Sequence, residues 1–174
     1  MAGSVASPTT SDLTAAPPSN GRRAPRTRRL LSAFGLLAVL ALLSGVLTSC
    51  ETTNEDRAAV IDSINASRAQ AGLGALRQNA TLDAKADAWA SRLRDECNIF
   101  HSNLADGAPP EWRKLGENVG RGGTIAQVHT AYLNSPGHRA NILDPSYNQV
   151  GAGAVWGTCN GYTTVFTVQV FMRA

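Results

Sequence analysis

Residues 149–172 read QVGAGAVWGTCNGYTTVFTVQVFM, and this stretch decides the fold. Asn160-Gly161 between two β-rich runs is the strongest short-range hairpin signal, because both residue types accept the positive φ that such a tight turn demands. The flanking strands run from Gln149 to about Thr158 and from Tyr162 to Met172. In the second strand Phe166, Val168, Val170 and Met172 point one way, and Val165, Thr167, Gln169 and Phe171 the other. Two largely apolar faces require cover on both sides. Helical patterns lie upstream, so the expected architecture is a three-layer α/β/α sandwich around a central antiparallel sheet, of mixed α/β (α+β) class.

Immediately before the hairpin stands Ser135-Pro136-Gly137-His138-Arg139-Ala140-Asn141-Ile142-Leu143, which reads as a helix start. Ser135 can cap it, and Pro136 lacks only an amide hydrogen that would be unpaired there anyway. His138 falls in the first turn, where the helix dipole disfavours imidazolium. Asp144-Pro145 ends the segment. Upstream, Thr124 to Gln127 has capping-box spacing and opens a helix to about Leu133. Ile125, Val128 and Tyr132 face inward on it, and His129 at the edge of that face is expected to be exposed.

Gly116-Glu117-Asn118-Val119-Gly120, with Gly122 and Gly123 after it, reads as a glycine-rich loop that lets backbone approach closely and aims the Glu117 carboxylate. It is no phosphate cradle, since no Lys-Ser/Thr follows. The loop 103–115 precedes it, and before that Ile99-Phe100 suggests a short strand or buried turn delivering His101 inward. Two scaffold helices come first. Asn54 can cap one whose first turn carries Glu55 and Asp56 and whose apolar side is Val60, Ile61, Ile64 and Ala71, ended by Gly72 and Gly74. The other spans about Leu82 to Glu96, with Leu82, Ala86, Trp89 and Leu93 as one buried stripe centred on Trp89, and with Lys85, Asp87, Arg92 and Asp95 facing water.

The leader has a different character. Arg22, Arg23, Arg26, Arg28 and Arg29 precede an uncharged run from Leu30 to Leu47. A basic region, an apolar core and small residues make a secretory signal; a retained membrane anchor is the competing reading. Leu47-Thr48-Ser49-Cys50 resembles the lipobox of bacterial lipoproteins, which implies lipidation of Cys50 as the mature N-terminus. Thr27-Arg28-Arg29-Leu30-Leu31 also faintly resembles a twin-arginine export signal. The expected organisation is a leader over 1–50, a tether over 51–54 and one domain over 55–174. The protein is then exported and lipid-anchored to the outer face of the cytoplasmic membrane, or secreted, and is expected to be a monomer.

Five of the 16 basic and one of the 13 acidic residues lie in 1–50, leaving 11 basic and 12 acidic in the rest. The basic pI therefore belongs to the leader and argues for no nucleic-acid partner. With Cys50 assigned to lipid, Cys97 and Cys159 remain as an even pair, which outside the cytoplasm reads as a disulfide, with two buried thiols as the alternative.

His101-Ser102, Gly116-Glu117-Asn118-Val119, the Ser135–Leu143 stretch and Val150-Gly151-Ala152-Gly153 together resemble, in order and spacing, the CAP superfamily of cysteine-rich secretory, antigen 5 and pathogenesis-related 1 proteins, in its short bacterial branch. The resemblance covers roughly 55–174 and implies an α/β/α sandwich with a central cleft. In the family that cleft commonly holds two His and two Glu; His101, Glu117 and His138 match three of them. Ser135 stands where many eukaryotic members carry the second Glu, with Asn118 nearby.

Three functions are open on these residues. The first is a binding module for a lipid, sterol or cell-wall component. The second is a metal-assisted hydrolase with His101 and His138 as ligands and Glu117 as ligand or base. The third is a non-catalytic structural or interaction role for a buried polar network. One carboxylate and two imidazoles would suit Zn²⁺ better than Ca²⁺ or Mg²⁺. Neither the His-Glu-x-x-His helix of zinc proteases nor a Gly-x-Ser-x-Gly elbow is present. The His nearer Glu117 is expected to carry the higher pKa.

Overall fold

A computed structural model of the protein describes residues 52–174; the leader and Cys50, with the export and lipidation expectations, lie outside the described residues. The elements are α1 (Asn54–Gln70), β1 (Arg77–Gln78), α2 (Ala80–Asp95), β2 (Lys114–Gly122), α3 (Ile125–Asn134), α4 (Pro136–Ile142), β3 (Gln149–Cys159) and β4 (Tyr162–Arg173). The sheet order is β1-β3-β4-β2. The β3–β4 and β4–β2 pairs are antiparallel, and β1 adds a parallel pair of two residues at the edge, Arg77 opposite Gln149 and Gln78 opposite Val150.

The predicted hairpin forms about Asn160 and Gly161, both at positive φ, 52° and 84°. Its two faces have separate cores. Val165 and Phe171 pack with Val60, Ile61 and Ile64 of α1, Val128 and Tyr132 of α3, and Ile142 of α4. Phe166, Val168, Val170 and Met172 pack with Leu82, Ala86, Ala90 and Leu93 of α2. Three helices thus cover one face and a single helix the other. This is the expected three-layer sandwich.

Four helical details differ from the sequence reading. Thr53, not Asn54, caps α1, its hydroxyl accepting from Asp56 N at 3.0 Å. Arg68 rather than Ala71 completes the buried side of α1, donating to the carbonyls of Gly74, Ile142 and Asp144 at 2.8–2.9 Å. On α2 the middle of the buried stripe is Ala90. Trp89 sits at its margin, edge-on to Phe100 with centroids 5.2 Å apart and its Nε1 donating to Phe100 O at 2.9 Å. The reason is closeness: α2 lies so near β3 at Gly151 and Gly153 that only small residues fit its central contact. Asp87 and Lys85 do not simply face water either; Asp87 pairs with Arg57 of α1, and Lys85 donates to the carbonyls of Asn103 and Asp106.

His129 is also corrected. It is half-buried between α1 and α3, with Nε2 2.8 Å from Ser67 Oγ and a buried Nδ1 without a partner. Because that hydroxyl also lies within hydrogen-bond reach of Ser63 O, the neutral ring with its proton on Nε2 fits, and burial holds the imidazole below its ordinary pKa.

The segment read as a glycine loop is β2, paired with β4 from Lys114 opposite Arg173 to Gly122 opposite Val165. Close approach is still what its glycines provide. A Cβ on Gly116 would fall 2.4 Å from Tyr147 Oη.

Candidate functional site

Strand alternation puts neighbouring residues of β2 on opposite faces of the sheet, and β2 is an edge strand. Glu117 therefore faces the α2 side and Asn118 the side of α3 and α4. Groups from both layers meet around this edge.

The Glu117 side chain is only 2% exposed and both of its oxygens are engaged. Oε1 accepts from Ser102 N at 2.9 Å and lies 2.8 Å from His101 Nδ1; Oε2 accepts from Ser102 Oγ at 2.6 Å. A buried carboxylate is stable when hydrogen bonds replace its water, and here three do. His101 is not delivered inward. Its segment carries no strand, its side chain is 61% exposed, and it lies over the buried carboxylate with one nitrogen held.

On the other face Asn118 is fully buried and fully used. Its amide donates to His138 O at 3.1 Å and Gln169 Oε1 at 3.0 Å, and its oxygen accepts from Asn141 Nδ2 at 2.9 Å. Asn141 also donates to Glu117 O at 3.2 Å. These bonds dock the start of α4 onto β2, and with it His138. Ser135 occupies the cap position of α4 without a capping bond; its hydroxyl lies 2.8 Å from His138 Nδ1 instead. Tyr132 packs on that ring with centroids 4.9 Å apart. The His138 pKa is pushed down, first by burial and then by the neighbouring His101.

His101 thus contacts Glu117 directly, while His138 reaches the same strand through Asn118 and its own backbone. Sequence reasoning gives Asn141 no role and passes over Gln169, a lone amide in an apolar strand. That oddity is a usable signal: a buried amide in a core face needs a partner. Ser102 stands beside His101 in the motif, but its two hydrogen bonds depend on where Glu117 points.

A three-ligand zinc centre does not fit this donor set as it is held. Glu117 spends both oxygens inside the protein and is not free as a third ligand, while each imidazole is held through Nδ1, which leaves Nε2 as the nitrogen that could face an ion. Among the described residues no three His, Cys, Asp or Glu side chains are grouped to hold a metal ion. Calorimetric titration with Zn²⁺ is expected to give the same isotherm for wild type and Glu117→Gln. Loss of binding in Glu117→Gln would show the carboxylate acting as a ligand.

Next to Ser102 a cleft of about 440 Å³ opens between α2 and the 102–107 segment, lined also by Ala84, Lys85, Ala88 and Trp89 among others. Its walls are chiefly apolar, and Ser102 belongs both to the cleft and to the Glu117 hydrogen bonds.

The comparisons with known proteins agree with this fold. The family model described as the cysteine-rich secretory protein family, CAP, matches residues 61–171. The chain belongs to that family. Uncharacterized protein YkwD of Bacillus subtilis (strain 168) is 33% identical over 105 residues, 55% of this chain and 41% of YkwD, so the match spans less than half of that relative. Pathogenesis-related leaf protein 6 of Solanum lycopersicum is 32% identical over 135 residues, 76% of this chain and 73% of that one. Among solved structures, an outer surface protein from Borrelia burgdorferi superposes with a TM-score of 0.57 at 22% identity, over 70% of this chain and 94% of its own. An extracellular SCP-domain protein from Bacillus anthracis str. Ames gives 0.56 at 22% identity, over 70% and 41%. At these identities the two structures bear on the fold alone. Among the described residues no helix is long and apolar enough to cross a membrane.

Proposed function

We propose that this CAP domain is an exported, membrane-anchored binding module that holds an amphipathic ligand, of the lipid, sterol or cell-wall-component classes, in the cleft beside His101. The observation that carries this reading is the double use of Ser102. Its backbone and hydroxyl are tied to the buried Glu117 carboxylate while it lines an apolar cleft, so an apolar body in the cleft would bring a polar head to His101. Shape and polarity of this kind are what small-molecule sites share. Hydrolysis would need Glu117 free to bind a metal or take a proton, and its oxygens are already engaged, which favours binding over catalysis.

Lipid extracted from the purified protein should contain a bound amphiphile. Titration with a long-chain fatty acid should show saturable binding that Ala88→Phe, by filling the cleft, weakens by about tenfold or more, a loss of about 1.4 kcal/mol. No extractable ligand, together with identical titrations for both proteins, would remove this reading.

The anchoring part rests on Leu47-Thr48-Ser49-Cys50. Changing Cys50 to Ala is expected to leave the leader uncleaved or release the protein from the membrane fraction. Unchanged mass and unchanged retention would count against lipidation.

A further inference from the structure

The chiefly apolar cleft next to Ser102 carries a charge on its wall. Among the described residues that line it, Lys85 is the one cation and Asp106 the one carboxylate. Lys85 belongs to α2, and its ammonium reaches across to the opposite wall, donating to Asn103 O at 2.9 Å and to Asp106 O at 2.7 Å. Asn103 follows Ser102 directly, so the ammonium is held at the end of the cleft that meets the Glu117 hydrogen bonds.

An ammonium has three donors, and two are taken here by carbonyl oxygens. Both acceptors are neutral. None of the ion pairs among the described residues includes Lys85. Burial holds its pKa below the ordinary value, against the raising influence of the Glu117 and then the Asp106 carboxylate. The surrounding anions thus do not make good the water that the ammonium has lost. Glu117 cannot swing closer, because Ser102 and His101 hold both of its oxygens. A half-buried cation with one donor left over beside an apolar cleft is completed by an anion that arrives with the ligand.

We propose that the cleft selects amphiphiles with an anionic head, a carboxylate or a phosphate, and that Lys85 is the residue that recognises this head. The proposal deepens the binding reading of the cleft and rests on it. The apolar chain lies against Ala84, Ala88 and Trp89, and the head takes the remaining donor of Lys85 in a charge-assisted hydrogen bond. A sterol, whose head is a neutral hydroxyl, becomes the disfavoured member of the ligand classes named above. Asp106 works against the anion from the same wall.

The test titrates the purified protein with dodecanoate, dodecyl phosphate and dodecanol at about pH 8, where the carboxylic acid is ionised. Wild type should bind the anions about tenfold or more tighter than the alcohol. K85M keeps the hydrocarbon stem and loses the charge, so its preference should fall to about onefold while the alcohol still binds. K85R should keep the preference, and D106N should widen it by removing the opposing carboxylate. A preference for one anion over the other identifies the head. If wild type binds all three alike, the selection by Lys85 is overturned while the cleft reading stands. If K85M weakens all three equally, Lys85 only braces the 103–106 segment and the proposal is overturned. If none of the three binds saturably, the cleft reading falls and takes this proposal with it.

Discussion

Gly151→Ala should cost the domain about 3 kcal/mol or more, a large share of the 5–15 kcal/mol that holds a typical domain folded. A Cβ at this position would meet Leu82 C at 2.2 Å and Asp83 N at 2.4 Å. Both are helix backbone, so no rotamer change relieves the clash. Helix α2 would have to lift from β3. The move would pull Leu82 and Ala86 out of a core where both are fully buried, and would strain the Asp83–Ala152 and Asn79–Val150 hydrogen bonds. Urea unfolding would show it as a lower midpoint at an unchanged slope. Gly153→Ala should be milder, since its nearest atoms, Ala86 C and O, lie at 2.6 Å. A wild-type midpoint for Gly151→Ala would mean that α2 slides freely over the sheet.

Removing the Cys97–Cys159 bridge is the other change with a large expected effect. The bond joins the residue two past the end of α2 to the last residue of β3, with Cα atoms 5.6 Å apart and a sequence separation of 62. Closing a loop of this length removes denatured-state entropy worth on the order of 4 kcal/mol in the chain-entropy model. The double Cys→Ser variant should therefore melt about 10 °C or more below the wild type. The effect should also reach the site. Cys97 opens the segment that carries His101, and Arg121 ties the same residue by donating to Cys97 O at 2.8 Å. With the bridge gone, hydrogen exchange at Ser102 N, which is bonded to Glu117, should accelerate more than exchange in α1. Equal melting temperatures with and without reductant would show that the bridge adds little to what the two cores already hold.

How far the sequence could be read depended on the range of each interaction. Period-two alternation and the Asn160-Gly161 turn are written along the chain, and the hairpin and both covered faces follow from them; the bridge between Cys97 and Cys159 follows only once Cys50, the third cysteine, is set aside. His101, Glu117 and His138 are singled out through the resemblance of their motifs to the family, and only the fold shows that His101 meets Glu117 directly while His138 reaches β2 through Asn118. What escaped were partnerships between distant positions. Strand β2 hid behind its glycines because their purpose is set by Tyr147 and Tyr132, neither of them near in sequence. The half-burial of His129 is decided by Ser67 on another helix, and the margin position of Trp89 by glycines on β3. The saturation of Glu117 depends on Ser102, and the docking of His138 on Asn118.

By itself, then, the sequence determined the layers, the hairpin, the pairing of Cys97 with Cys159 once Cys50 is set aside and, through the family resemblance, which polar residues were worth watching. Periodicity, turn chemistry and parity act over a few residues or by simple count. Tertiary structure alone decided that Glu117 is a buried acceptor, that Ser135 turns its hydroxyl to a ring rather than to a helix end, and that Thr52 clamps the chain to β3. Each of those outcomes is a hydrogen bond chosen among several that local geometry allows, and packing makes the choice.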